Sequence, residues 1–274
     1  MVRAPGLLLL VGVMGLNVGC WADELQCTPA DTTYSCCVKQ HPTAPQSCGA
    51  STAGAEAAAR GGLSGTNVVV GTLVAAATIS SDDEVLPAKT QAAVEKVLRE
   101  CAVKAHEAVN RKYFKGDPTP AQCAEIVERD AKGTAITTRA MQLGKQKHVE
   151  ALACVSDLLS KFLSGRFSME QRYRPNPTTR NLELVSIEQY QKLLRVNQGK
   201  GLRGTLVPDV VIHSGDPLRI QIVYDFKFPC LRRNSPTWTV YTQADHPYRD
   251  RTQGDVYEEF LGPTRRVTPW EIVR

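Results

Sequence analysis

Two carboxylates and a lysine stand at a spacing that could hold a metal ion. Asp209 is followed sixteen residues later by Asp225, and Lys227 lies two residues further on. Carboxylates at close range offer the hard oxygen ligands that Mg²⁺ prefers in proteins. A metal ion held there would polarise a phosphate and activate a water, and the lysine would orient or deprotonate that water or offset developing charge. The spacing therefore indicates phosphodiester hydrolysis with Mg²⁺ or Mn²⁺, provided that the fold brings the three side chains together.

A β-hairpin is the element that must position these residues. Leu206 to His213 and Leu218 to Phe228 are strand-like segments, and a Gly-Asp-Pro turn separates them. Residues at i and i+2 of a strand share a face, so Asp225 and Lys227 project together while the residue between them enters the core. Antiparallel pairing of the two strands then brings Asp209 beside Asp225.

A helix is predicted before the hairpin and another after it. Inward-facing residues recur at helical spacing from about Arg139 to Leu163, and Gly165 ends that helix. The helix after the hairpin runs from about Gln253 to Leu261. The other predicted helices cover residues 88–113, 120 to about 129, and 187–196, and the other predicted strands cover residues 167–173, 181–185 and 266–268.

The string Pro208-Asp209, followed by Asp225-Phe-Lys227, resembles the PD-(D/E)XK motif of restriction-endonuclease-like nucleases. The resemblance implies an α+β (α/β) fold, in which a helix is followed by a mixed central β-sheet flanked by helices. Here that core would follow a helical N-terminal half. The resemblance also implies that Asp209 and Asp225 bind the metal and that Lys227 assists the attacking water.

The position of the third acidic residue of that family is open in this sequence. The family usually adds an acidic residue on the helix before the sheet. Here His148 occupies the inward face of the helix and is a fourth catalytic candidate, whereas Glu150 is the nearest acid and points roughly the opposite way. The sequence leaves open which of the two completes the site.

Candidate contacts to nucleic acid lie downstream of the hairpin. Nucleases of this fold often place a polar side chain near the phosphate from the helix after the catalytic strands, and Gln253 holds that position, although a purely structural helix is the alternative. Arg232 and Arg233 are candidate phosphate contacts. The net charge of +5 suits an anionic partner. The resemblance to these nucleases implies that this partner is a nucleic acid, with DNA favoured. Further candidate arginines are Arg249, Arg251, Arg265 and Arg266.

Composition and cysteine usage point to a globular protein of an oxidising compartment. Hydrophobic residues make up 42% and charged residues 22%, which is ordinary for a globular chain and argues against disorder. The chain has nine cysteines, and four of them lie close together without any C-x-x-C pair, so disulfides are favoured over a zinc site. The pairing among these four stays open: Cys27, Cys36, Cys37 and Cys48.

The N-terminus is typical of an export signal. Residues 1–19 contain Arg3 and then a short apolar stretch that ends in small residues before Cys20. The string Asn17-Val-Gly-Cys20 resembles a bacterial lipobox, in which the cysteine is lipidated and anchors the chain to a membrane. Ordinary cleavage after Ala22 is the alternative.

The rest of the chain divides by composition. Residues 20–66 are predicted to form a cysteine-rich leader, which the lipobox resemblance implies is lipidated at Cys20, and a linker rich in Ala, Gly and Ser. Residues 67–135 hold an apolar segment and a helical region, and the resemblance to PD-(D/E)XK nucleases places the nuclease domain at residues 136–274. The apolar run at 67–79 is too short for a transmembrane helix, so it is either a buried element or a segment that helps the protein cross a membrane.

An export signal joined to a nuclease resembles polymorphic bacterial toxins, and the layout resembles swarm-inhibition lipoprotein toxins. The resemblance implies an outer-membrane or periplasmic lipoprotein in the producer, a cognate immunity protein there, and action in the cytoplasm of a neighbouring cell. Two alternatives stay open. One is a secreted scavenging nuclease, and the other is a non-catalytic envelope lipoprotein with a nuclease-like binding domain.

Overall fold

A computed structural model describes residues 85–176 and 178–274. The predicted signal, the lipidated Cys20, the four clustered cysteines and the apolar run at 67–79 lie outside the described residues. No helix within the described ranges is long and apolar enough to cross a bilayer. The helices are α1 Ala88–Tyr113, α2 Pro120–Ala124, α3 Arg139–Leu159, α4 Ile187–Arg195 and α5 Gln253–Leu261, with a 3₁₀ helix at Asn197–Leu202. The strands are β1 Ile126–Arg129, β2 Ala135–Thr138, β3 Phe167–Met169, β4 Tyr173–Pro175, β5 Leu182–Leu184, β6 Val210–His213, β7 Ile220–Phe226, β8 Thr264–Val267 and β9 Ile272–Val273.

A mixed five-stranded sheet forms the centre of the fold. Its strand order is β3-β6-β7-β8-β9. β7 and β8 pair in parallel, because the chain crosses over through α5 between them, and every other pair in this sheet is antiparallel. The predicted class, a mixed sheet flanked by helices, is confirmed at this level.

The sheet is covered on both faces. Alternate residues of each strand point to opposite faces. Tyr224 and Phe226 of β7 join Leu98 of α1 and Val155 of α3 in one core. On the other face, Val223 packs with α5 and with the segments around β4 and β5 in a second core. The site described below therefore lies in a sheet held between two layers.

Several predicted boundaries are wrong, and the strand predicted from Leu206 begins only at Val210. Thr119 caps α2 with a full capping box, as its sequence predicts, but the helix stops at Ala124 and the chain continues as the β1–β2 hairpin. The predicted strand at 167–173 is divided between β3 and β4 because Glu170 has a positive φ of 47°. The helix predicted to reach Leu163 ends at Leu159, and Gly165, with φ of 73°, lies in the turn that follows.

Two disulfides cross-link the described part of the chain. Cys101 of α1 is joined to Cys154 of α3, and Cys123 of α2 is joined to Cys230, just after β7. Cystine bridges of this kind fit the predicted oxidising compartment. The sequence did not predict these pairings, because Cys101 fits the apolar periodicity of its helix and gives no other signal.

Candidate active site

The β6–β7 hairpin brings the three predicted residues to one end of the sheet. Val210 pairs with Tyr224, so Asp209, directly before β6, and Asp225 lie in neighbouring positions on adjacent strands. Both carboxylates are buried, at 8% and 3% exposure. The backbone N–H of Phe226 donates to Asp209 Oδ2, which fixes this carboxylate against β7. The strand spacing alone therefore accounts for the convergence of the two acids.

Lys227 lies beside Asp225 and is held there by three contacts. Its Nζ forms an ion pair with Asp225 Oδ2 and donates to Gln253 Oε1 at 2.9 Å. The third contact is with the aromatic ring of Trp238. Gln253 in turn donates to Tyr257 Oη at 2.9 Å. As predicted, Lys227 projects on the same side as Asp225, and the residue between them enters the core.

The start of α5 is positioned by its cap. Thr252 accepts a hydrogen bond from the backbone N–H of Asp255 and completes a capping box, so Gln253 is the first residue of the helix. That places the amide of Gln253 beside Lys227 and within 3.5 Å of Asp225 Oδ1. Gln253 was predicted to contact nucleic acid. Its described partners are the two catalytic candidates and Tyr257.

His148 is the member of the site that comes from α3. Its Nδ1 lies 3.3 Å from Asp209 Oδ2, and its ring stands edge-on to Phe226 and Phe228. Glu150 is exposed and lines a shallow groove with residues of α1. Of the two residues between which the sequence could not decide, the structure puts His148 beside the carboxylates and leaves Glu150 away from them.

The two carboxylates have different protonation behaviour. Burial raises the pKa of Asp209, but the charge and hydrogen bond of His148 outweigh it and leave this pKa below its ordinary value. Burial, with a smaller contribution from the like charge of Asp209, raises the pKa of Asp225 to about 6 against the pull of Lys227. Burial lowers the pKa of His148, but the neighbouring Asp209 brings it above its ordinary value. The site thus holds one firmly ionised carboxylate and one that is costly to ionise.

The donor set fits a divalent cation. A cation between the carboxylates would remove the penalty that raises the pKa of Asp225. Within the described ranges, no group of three or more His, Cys, Asp and Glu side chains is arranged as a metal cluster. Mg²⁺ does not require one, because it is usually held by one or two carboxylates with water and substrate oxygens. Asp209 and Asp225 are the residues that would bind it.

The predicted arginines are not part of this cluster. Arg232 and Arg233 are exposed in the segment after Cys230. Arg251 and Arg265 form ion pairs of 2.6 Å with Glu259 and Glu95. Arg266 is paired with Asp225 in the parallel register of β7 and β8, but its guanidinium donates to the backbone carbonyls of Pro236 and Arg274.

Sequence reasoning did not identify two aromatic neighbours of the site. The ring of Trp238 lies near Lys227, and Tyr241 is close enough to Asp225 for that carboxylate to add to the effect of burial in raising the pKa of the phenol to about 12. Both belong to the irregular segment between β7 and α5, which has no periodic pattern. The one available signal was the proximity of this segment in the chain to Lys227 and Gln253.

Comparison with known proteins adds no assignment. No family model matches the chain, no curated protein is significantly similar to it, and no solved structure matches its fold.

Proposed function

We propose that this protein is a metal-dependent nuclease that hydrolyses phosphodiester bonds, with DNA as the favoured substrate. The observation that carries the proposal is the convergence of Asp209, Asp225 and Lys227 at one end of the β6–β7 hairpin. Burying charges of both signs at the end of an apolar hairpin costs desolvation energy that ion pairing does not always repay. A catalytic centre accounts for that cost, because active sites are where ionisable groups with shifted pKa values gather.

Each residue has a separate role in the proposed reaction. Bound Mg²⁺ or Mn²⁺ would supply Lewis-acid activation of the phosphate and of a water. Asp209, kept ionised by His148, and Asp225 would hold the cation. Lys227 would orient the attacking water and offset negative charge on the phosphate. Gln253 would keep the Lys227 ammonium in place through its 2.9 Å hydrogen bond.

Substrate binding would use exposed arginines outside the cluster. Arg232 and Arg233 follow β7 closely and are exposed, so they are free to contact backbone phosphates. Such contacts add affinity without sequence preference and weaken as salt rises. We therefore assign to them binding of the nucleic-acid backbone and no part in the chemistry.

The cellular role we propose is that of an exported antibacterial toxin. Support comes from the signal-like residues 1–19, the lipobox-like Cys20 and the disulfides, which suit an oxidising compartment. The producer would hold the protein as an outer-membrane or periplasmic lipoprotein and would need an immunity protein. The nuclease would act in the cytoplasm of a neighbouring cell that lacks that partner.

A plasmid-nicking assay tests the proposed chemistry. Purified protein with Mg²⁺ or Mn²⁺ should convert supercoiled plasmid to nicked and linear forms, and chelation should stop the conversion. Lys227→Ala should remove the activity, whereas Lys192→Ala, an exposed lysine of α4, should retain it. Absence of cleavage of DNA and of RNA with either metal would refute the enzymatic proposal and leave the binding-module alternative.

Expression in the cytoplasm tests the toxin proposal separately. Production of the chain from Cys20 onward in a bacterial strain that forms cytoplasmic disulfides should stop growth, and Asp225→Asn should restore it. Normal growth with a protein that cleaves DNA after purification would instead support a secreted scavenging nuclease.

A further inference from the structure

Trp238 lies beside the proposed catalytic lysine. Its ring centre is 5.1 Å from Lys227 Nζ and 5.7 Å from the guanidinium carbon of Arg266. The ring of Tyr257 stands edge-on to the indole at 6.3 Å. A cation within about 6 Å of an indole centre is attracted by the ring quadrupole. Trp238 is uncharged, and it therefore interacts with the site through the positive charges of Lys227 and Arg266 that lie near its ring.

The indole occupies a space that depends on a glycine. A Cβ built on Gly254 would lie 2.5 Å from Cε2 and Nε1 of Trp238 and 2.6 Å from Cδ1. Gly254 is the second residue of α5, where the helical backbone itself does not require glycine. Glycine generally weakens a helix relative to alanine. The close approach of the indole is thus the structural reason for glycine at this position.

Lysine is a flexible side chain that must be held if it is to act at one point. Asp225 and Gln253 bind the Lys227 ammonium, and the Trp238 ring adds a restraint that takes up no hydrogen bond. An N–H of the ammonium then remains available for a water or a phosphate oxygen, because the ammonium has three donors. We propose that Trp238, seated against Gly254, is a positioning residue for Lys227. This inference rests on the proposed nuclease function.

Cleavage kinetics with three variants test the proposal. Trp238→Leu should lower kcat by about tenfold or more with little change in KM, because displacing a catalytic group impairs the reaction more than substrate binding. Trp238→Phe, which keeps an aromatic face, should recover most of that loss. Gly254→Ala, which pushes the indole out of its seat, should lower kcat in the wild type but add little to Trp238→Leu, since both changes remove the same contact.

A matched tryptophan provides the control. Trp270 packs edge-on against His106, and Trp270→Leu should leave kcat close to the wild-type value. Equal losses from both tryptophan variants would indicate a general packing effect and overturn the positioning role. Unchanged kcat in Trp238→Leu, with Lys227→Ala inactive, would overturn it as well while leaving the nuclease proposal intact.

A measurement that needs no activity tests the contact itself. Urea unfolding of Trp238→Leu, Lys227→Met and the double variant should give non-additive midpoints if the ring and the ammonium interact. Additive midpoints would overturn the proposal even for an active enzyme. If the wild type cleaves nothing, the proposed function fails, and this cycle still decides whether Trp238 holds Lys227.

Discussion

His148 and His106 are both ionisable and both packed within the helical layer, yet their pKa values shift in opposite directions. His148 faces Asp209, and its pKa lies above the ordinary value. His106 of α1 is buried beside Lys147, and burial together with that ammonium lowers its pKa. Lys147 and His148 are consecutive residues of α3, so one helix contributes to two separate polar clusters.

The second cluster is organised around a buried ammonium. Lys147 is fully buried, and its Nζ lies 3.3 Å from His106 Nδ1. The other ring nitrogen of His106 lies 3.0 Å from Asp117 Oδ1, and Asn110 donates to the same carboxylate oxygen at 2.9 Å. Burial lowers the pKa of Lys147 to about 8.

The two clusters would respond to a cation in opposite ways. The β6–β7 site would be stabilised by a cation, and the cluster around Lys147 would repel it. The β6–β7 site has two buried carboxylates, and the pKa of Asp225 reports the cost of ionising the second. The cluster around Lys147 has its buried charge in a cation, and its one carboxylate, Asp117, is mostly exposed. Polarity in the interior is therefore common to both clusters, whereas the sign of the buried charge distinguishes the cluster that could bind a cation from the one that could not.

Asp225→Asn should have the largest effect on activity. Loss of this carboxylate should lower plasmid cleavage by about a thousandfold or more, because one of the two proposed metal ligands disappears. The same change should not lower the melting temperature at neutral pH, since burial already disfavours the charged form of Asp225. Cleavage is measured on gels and melting by circular dichroism.

Asp117→Asn is the matched change in the other cluster. It should leave cleavage within about twofold of wild type, because surface changes away from a site have small effects. A comparable loss of activity in both variants would erase the distinction between the two clusters.

Lys147→Met should have the next largest effect, which is on the stability of the fold and not on cleavage. The pKa of Lys147 is about 8 in the folded state against 10.5 for an ordinary lysine. Between about pH 8 and pH 10.5 the unfolded chain therefore binds more protons than the folded protein. The contribution of Lys147 to the free energy of unfolding rises across this window by roughly 3 kcal/mol. Urea unfolding from pH 7 to pH 10 should show a rise in wild type that is smaller in Lys147→Met. Parallel curves for the two proteins would show that the buried ammonium of Lys147 does not cause the rise in stability with pH.

His148→Asn should have a smaller effect, on activity. The imidazole holds Asp209 in its ionised form, and loss of such an outer partner typically costs about ten- to a hundredfold in metal affinity or rate. The metal concentration that gives half-maximal cleavage should rise in this variant. His106→Asn should leave that concentration unchanged, because His106 contacts Lys147 and Asp117 and no residue of the site.

Glu150→Gln should have the smallest effect. Its side chain is exposed and lies outside the carboxylate cluster, so cleavage should stay within about twofold of wild type. A loss as large as that of His148→Asn would return Glu150 to the site as the acidic residue of the helix.

The hairpin and the positions of Asp209, Asp225 and Lys227 could be predicted because side chains alternate between the two faces of a β-strand. Asp225 and Lys227 share a face by strand geometry alone, and the Gly-Asp-Pro turn fixes the direction of return. The helix α5 was predicted near its observed bounds, and the structure adds the capping box of Thr252 and Asp255 at its start. For the β6–β7 hairpin and for α5, patterns within a short stretch of sequence were sufficient.

Contacts between distant segments could not be predicted in this way. Lys147 was not expected in the interior, because the polar partners that accompany it come from α1 and from the turn at Asp117. The pairing of Cys123 with Cys230 spans 107 residues of sequence, and no local pattern reports it. Trp238 reaches Lys227 through an irregular segment whose path only the whole fold determines.

The two disulfides have a consequence for the covalent connectivity of the chain. The loop closed by Cys101 and Cys154 overlaps the loop closed by Cys123 and Cys230. A single peptide-bond cut anywhere between residues 101 and 230 therefore leaves both fragments attached through sulfur. A protease that nicks this stretch should give two bands on a reducing gel and one on a non-reducing gel. After such a cut, the disulfides would keep the β6–β7 hairpin covalently linked to α3.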